Sequence, residues 1–141
     1  MRRSKIEVFI HYVWATKHRE PFLQDPQIER RIYRCIQSEA EKLGCAVVAL
    51  NGMQDHVHLL LQMPATVTIS HIAKQTKGIS STFAREKLFG GDAFDWQEGY
   101  AALSVSPRQV AKIKEYVQNQ KQHHAQNTIQ PLWEECDEAN S

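Results

Sequence analysis

Between residues 6 and 124 the apolar residues switch repeatedly between two spacings, and the order of the switches constrains the fold more than any other property of the chain. A period of two marks a strand and a period near 3.6 marks a helix. Residues 6 to 16, Ile6-Glu7-Val8-Phe9-Ile10-His11-Tyr12-Val13-Trp14-Ala15-Thr16, are dense in β-branched and aromatic side chains and predict a first strand. Asp25-Pro26 follows as a cap with a first-turn proline. Ile28, Ile32, Ile36, Ala40 and Leu43 then form a helical stripe that Gly44 ends. Cys45 to Leu50 predicts a second strand. Asn51-Gly52 is a hairpin signal, with the turn running to Asp55, and His56 to Met63 predicts a third strand. Thr68 or Ser70 opens a second helix carrying Ile69, Ile72, Ile79 and Phe83, which stops at Gly90-Gly91. Tyr100 to Val105 predicts a fourth strand, and Ser106-Pro107 opens a last helix to about His124.

The order β-α-β-β-α-β is that of the ferredoxin-like split arrangement, an α+β fold with two helices on one face of an antiparallel sheet. One helix is left over at the C-terminus. The 141 residues suit a single domain over 1–133, followed by an acidic, flexible tail over 134–141. Lys and Arg total 17 against 16 Asp and Glu, a net charge of +1, which excludes a strongly basic nucleic-acid-binding domain. That total is partly a tail effect. Glu134 to Ser141 holds four acids and no base, so the rest of the chain has 17 bases against 12 acids, or +5. No apolar stretch approaches the ~18 residues of a membrane helix, so no membrane partner is expected. The basic start, Met1-Arg2-Arg3-Ser4-Lys5, is followed by Glu7 and His11 and does not make a signal peptide. Cys35, Cys45 and Cys136 are odd in number and lack metal-type spacing, which suits a reducing cytoplasm.

Two segments carry chemistry. In Asp55-His56-Val57-His58-Leu59-Leu60-Leu61, side-chain alternation puts His56 and His58 on one strand face and Val57, Leu59 and Leu61 on the other. Two imidazoles at i and i+2 can converge on one metal ion, or can simply be polar residues on a solvated sheet face. In the last helix, Tyr116 and Gln120 are four apart, beside the apolar stripe of Val110, Ile113 and Val117. Tyr116 reads equally as a packing residue with a wet hydroxyl or as a nucleophile beside a metal site. Neither segment decides alone.

Taken together, the segments resemble the HUH single-tyrosine transposases of the TnpA type, including the REP-associated tyrosine transposases. The resemblance covers nearly the whole chain. It includes His11-Tyr12-Val13-Trp14-Ala15-Thr16-Lys17-His18-Arg19, the histidine motif Asp55-His56-Val57-His58-Leu59-Leu60, and Phe94-Asp95-Trp96-Gln97-Glu98-Gly99-Tyr100 with Ser104-Val105-Ser106. It closes with Tyr116-Val117-Gln118-Asn119-Gln120 and His123-His124.

The resemblance implies a transposase that cleaves and rejoins single-stranded DNA at hairpins near element ends. Tyr116 is then the nucleophile, keeping a 5′-phosphotyrosine. His56, His58 and Gln120 are the ligands of a divalent ion, Mg2+ or Mn2+. A homodimer is implied as well, although the REP-associated branch can also act as a monomer. Asp55 is open between orienting an imidazole and belonging to the turn. His123 and His124 read either as DNA contacts or, more simply, as a solvated helix end, and His11 faces the open side of the first strand without an assigned role. Arg2, Arg3, Lys5, Lys74, Lys77 and Arg85 are the chosen candidates for phosphate contacts, and Trp14, Trp96 and Tyr100 for base stacking. Two other classes compete: a non-cleaving hairpin-binding module, and a ferredoxin-like metal-binding scaffold.

Overall fold

A computed structural model describes residues 4–91 and 93–136 of the chain. Two strands, β1 (Phe9–Ala15) and β3 (His56–Gln62), form the middle of an antiparallel sheet. The outer strands are β2 (Ala46–Met53) and β4 (Ala101–Val105), giving the order β2-β3-β1-β4. Helices α1 (Pro26–Lys42) and α2 (Ile69–Phe83) provide the two crossovers. The expected ferredoxin-like order of the first six elements is present. Local chemistry accounts for the helix starts. The Asp25 carboxylate accepts from the Gln27 amide at 2.8 Å with Pro26 next to it, and the Thr68 hydroxyl accepts from the His71 amide at 3.1 Å.

Strand alternation assigns the two sheet faces. Ile10, Tyr12 and Trp14 of β1 and Val57, Leu59 and Leu61 of β3 point to one side. There they pack with Ile32, Ile36 and Ala40 of α1 and Ile72 and Ala73 of α2. Trp14 has no exposed surface and Trp96 only 4%, so neither presents a ring for base stacking. Tyr100 is half-buried against Tyr12.

The second face, expected to be open, is covered. Helix α3 (Val110–Gln118) sets Ile113 and Val117 against Leu60, Ala49 and Val105. The last helix does not run straight to His124. It breaks at Asn119 (φ −102°, ψ 25°) and resumes as α4 (Gln120–Gln126). The Gln118 carbonyl accepts from the Asn51 side-chain amide of β2 at 3.0 Å, a tertiary partner that local periodicity does not reveal. Asn127 then turns left-handed (φ 56°), and the chain returns over the sheet as the short helical turn α5 (Pro131–Glu134).

The hairpin also differs from expectation. Asn51 and Gly52 lie inside β2, paired with His58 and Val57, and the turn falls at residues 54–55. Gly52 serves close backbone approach. A Cβ there would stand 2.1 Å from the His56 carbonyl oxygen and 2.8 Å from the Val57 Cα.

Candidate active site on the second sheet face

His56, His58 and His11 are brought to the second face by the same alternation that buries their neighbours. His11 and His58 are 1% and 0% exposed, and neither is solvated. His11 Nε2 lies 2.8 Å from His58 Nδ1, and Asp55 Oδ1 lies 2.8 Å from His56 Nδ1. Asp55, for which turn and orienting roles were both open, therefore holds an imidazole as well as ending the hairpin. Arg19, in a tight turn with φ 57°, sets its guanidinium 3.7 Å from the other Asp55 oxygen. With both Nδ1 atoms held, the Nε2 atoms of His56 and His58 face a common centre.

The helix side supplies the rest. Gln120 is fully buried, with Oε1 3.1 Å from His56 Nε2 and 2.8 Å from His124 Nε2. The Tyr116 hydroxyl donates to Glu134 Oε2 and accepts from the Gln130 amide at 3.0 Å. Trp133 packs edge-on to the Tyr116 ring, and His123 stacks on it at 4.6 Å between centroids. Tyr116 and Gln120 meet at one carboxylate: Gln120 Nε2 donates to the same Glu134 Oε2 at 3.1 Å. Tyr116 stands beside the histidines of its own chain, with ring centroids 6.0 Å apart from His58.

Two participants were not anticipated. His124 was read as a solvated helix end, yet it joins the cluster. Its one signal in the sequence was its position four residues after Gln120 on the same helix. Glu134 was counted in a flexible tail beginning at residue 134, yet its carboxylate is only 12% exposed and sits among the rings. Glu134 Oε1 lies 3.0 Å from His56 Nε2 and 3.2 Å from His58 Nε2. Cys136 is buried beside Val13 and Ala15, so the packed chain extends at least that far. Among four acids in a row of eight residues, nothing local singles out Glu134.

These contacts shift the acid–base properties of the site. Burial disfavours a charged His56, but Asp55 and Glu134 outweigh burial and hold the ring up at about 9. Burial pushes His58 below its ordinary value, and pushes His11 down to about 3 with help from His58. Burial also works against a charged Glu134, yet the His56 and His58 rings dominate and keep its carboxyl well below the usual range. Burial, reinforced by Glu134, raises the Tyr116 hydroxyl to about 12. The phenol is thus protonated at neutral pH and hydrogen-bonded to a carboxylate.

The donor set suits a divalent ion. Buried imidazole Nε2 atoms with their opposite nitrogens held, and a buried amide oxygen turned towards them, form the mixed nitrogen–oxygen environment of a first-row metal. Donor atoms of His56, His124 and Glu134 lie within 4.8 Å of one another.

The candidate phosphate contacts fare unequally. Lys74 is exposed, and Lys5 is exposed beside Glu7 at 3.7 Å. Lys77 is not free: its ammonium donates to the carbonyls of Gln97, Glu98 and Gly99 at 2.8, 2.9 and 2.9 Å, tying the loop before β4 to α2. Arg85 donates to the Phe94 carbonyl at 3.3 Å and pairs with Asp95 at 3.7 Å. Arg2 and Arg3 lie outside the described residues, as do Asp137 and Glu138. No helix among the described residues is long and apolar enough to cross a membrane.

Comparison with known proteins points to transposases. The ISDra2 transposase TnpA of Deinococcus radiodurans is 30% identical over 117 residues, covering 78% of this chain and 81% of that protein. A transposase for insertion sequence element IS200 of Salmonella typhimurium is 27% identical over 116 residues, covering 78% and 74%. A crystal structure of a putative transposase from Deinococcus radiodurans R1 superposes with a TM-score of 0.63 at 30% identity, covering 85% of this chain and 96% of that one. A REP-associated tyrosine transposase bound to a REP hairpin shares the fold, with a TM-score of 0.65 at 14% identity, over 88% and 73% of the two chains. The family model for IS200-like transposases matches residues 4–120, from the start of the described chain to the buried glutamine. By that match and the 30% identity to TnpA, the chain belongs to the IS200-like transposase family.

Proposed function

We propose that this chain cuts and rejoins single-stranded DNA at hairpins through a covalent 5′-phosphotyrosine on Tyr116, with a divalent ion at His56, His58 and Gln120. The observation that carries the proposal is the placement of the Tyr116 hydroxyl against the buried histidine–glutamine cluster through one shared carboxylate. Hairpins enter because a relative of this fold is bound to a REP hairpin.

The Tyr116 oxygen attacks the scissile phosphorus. A phosphorus–oxygen bond forms to tyrosine, the bond to the 3′ oxygen breaks, and the departing oxygen takes up a proton as a 3′ hydroxyl. Reversal with that hydroxyl, or with one from another cut, rejoins a strand without an external energy source. A phenol with its proton held up at about 12 is a weak nucleophile, so the proton needs an acceptor. Glu134 Oε2 is already in contact with it. Asp55 and His11 fix the rings of His56 and His58, and the Gln130 amide fixes the direction of the tyrosine hydroxyl. When bound, a divalent ion supplies Lewis-acid stabilisation of charge developing on the phosphate. Nitrogen ligation favours manganese over magnesium, which prefers oxygen.

The test is covalent capture. Hairpin-bearing single strands incubated with Mn2+ are run on a denaturing gel. Wild-type protein is expected to shift with covalently attached DNA and Tyr116→Phe to give none, a loss of at least about 10³-fold as for removal of a covalent nucleophile. Equal adduct from both proteins would reject Tyr116. Hairpin binding without any cut by wild type would point instead to the non-cleaving module.

A further inference from the structure

We propose that Glu134 is itself a ligand of the ion assigned to His56, His58 and Gln120, so that the C-terminal turn completes the metal centre. This extends the metal-dependent reading above and rests on it. The supporting feature is convergence on one atom. Glu134 Oε1 stands 3.0 Å from His56 Nε2, 3.2 Å from His58 Nε2 and 3.3 Å from His124 Nε2. Gln120 Oε1 stands 3.1 Å from His56 Nε2 and 2.8 Å from His124 Nε2. Neighbouring ligands of an octahedral ion with bonds near 2.1 Å are separated by about 3 Å. The observed separations cluster around that value.

Hydrogen bonding alone accounts for the convergence less well. Asp55 only accepts, so its contact uses the Nδ1 hydrogen of His56 and leaves Nε2 as the atom turned towards the Glu134 oxygen. One carboxylate oxygen also lacks the lone pairs to serve three rings and remain well directed. Glu134 is not a loosely swung side chain. Trp133 packs on Tyr116, the Gln130 amide bonds the tyrosine hydroxyl, and Cys136 is buried beside Val13 and Ala15 on the far side. The second oxygen, Oε2, receives the Tyr116 hydroxyl and the Gln120 amide. One carboxylate thereby sets the distance between metal and nucleophile.

Calorimetric titration of Mn2+ into metal-stripped full-length protein tests this, comparing wild type, Glu134→Gln, Glu134→Ala and His58→Ala, each checked for folding by circular dichroism. The expected result is a loss of Mn2+ affinity of at least about ten-fold in both Glu134 variants, approaching the loss in His58→Ala. Affinity within two-fold of wild type in the Glu134 variants, with His58→Ala impaired, would overturn the assignment of Glu134 and leave the histidine site standing. Equal Mn2+ binding by wild type and His58→Ala would bring down the metal reading itself. More covalent DNA adduct from Glu134→Gln than from wild type at saturating Mn2+ would also overturn the proposal, by showing that the carboxylate obstructs the site.

Discussion

The two faces of β3 are built from alternate residues of one seven-residue strand and bury their side chains by opposite means. On the α1/α2 face, Val57, Leu59 and Leu61 disappear into an apolar layer in which non-directional burial provides the stabilisation. On the other, His56 and His58 are as completely buried, but every ring nitrogen has a named polar partner: Asp55, His11, Gln120 or Glu134. The first face tolerates approximate shape provided volume is kept. The second tolerates little, because each buried polar atom depends on a particular neighbour. A strand can therefore carry a site without weakening its sheet, because the apolar face secures what the polar face places.

Adjacent substitutions should separate the two faces. Leu59→Ala is expected to cost about 2–5 kcal/mol of folding stability, in denaturant unfolding, whether or not Mn2+ is present. His58→Ala should lose most Mn2+ binding, and with it the metal-induced rise in thermal stability, which for wild type amounts to about 2.7 kcal/mol at 100 times the dissociation constant. If Leu59→Ala were rescued by metal, or if His58→Ala kept its metal response, the division between faces would fail. A smaller effect is expected at Asp55, which touches no DNA in this reading and acts through the His56 ring. Asp55→Ala should reduce Mn2+ affinity by about 10–100-fold, and Asp55→Asn, which keeps an oxygen at Nδ1, by less. Smallest is the contrast on the helical layer. Lys77→Met should lower stability by about 1–3 kcal/mol because three loop carbonyls lose their donor. Lys74→Ala should leave the melting temperature in place and, if Lys74 meets phosphate, reduce the salt slope of hairpin binding by about one.

The apolar face was legible in the sequence and the polar face only half so. Strand alternation and the caps at Asp25 and Thr68 are local signals, and the elements they announce are present within a few residues. Strand and helix periodicity project His56 with His58 and Tyr116 with Gln120 as pairs, and the family resemblance, not the periodicity, singled them out as site candidates. What escaped depends on partners distant in sequence. The break at Asn119 follows from Asn51, 68 positions earlier, and Asn51-Gly52 looked like a turn because glycine also serves close approach within paired strands. Glu134 looked like tail because acidic composition describes solvation on average, whereas one carboxylate is drawn in by three imidazoles. Lys77 resembled a phosphate contact until a loop supplied three carbonyls.

The break at Asn119 has a mechanical consequence. Tyr116 lies upstream of it and Gln120 downstream, and the carbonyl that would have continued the helix at the junction is pinned by Asn51 to the edge strand. Lys121 adds a second fastening, reaching Asn51 at 2.8 Å and Glu29 of α1 at 3.0 Å. The stretch around Gln120 is therefore fastened to the sheet and to α1 as well as to α3. If Tyr116 takes hold of a DNA strand as proposed, part of the strain on α3 passes to the edge strand and to α1 through these fastenings and does not fall on the glutamine alone.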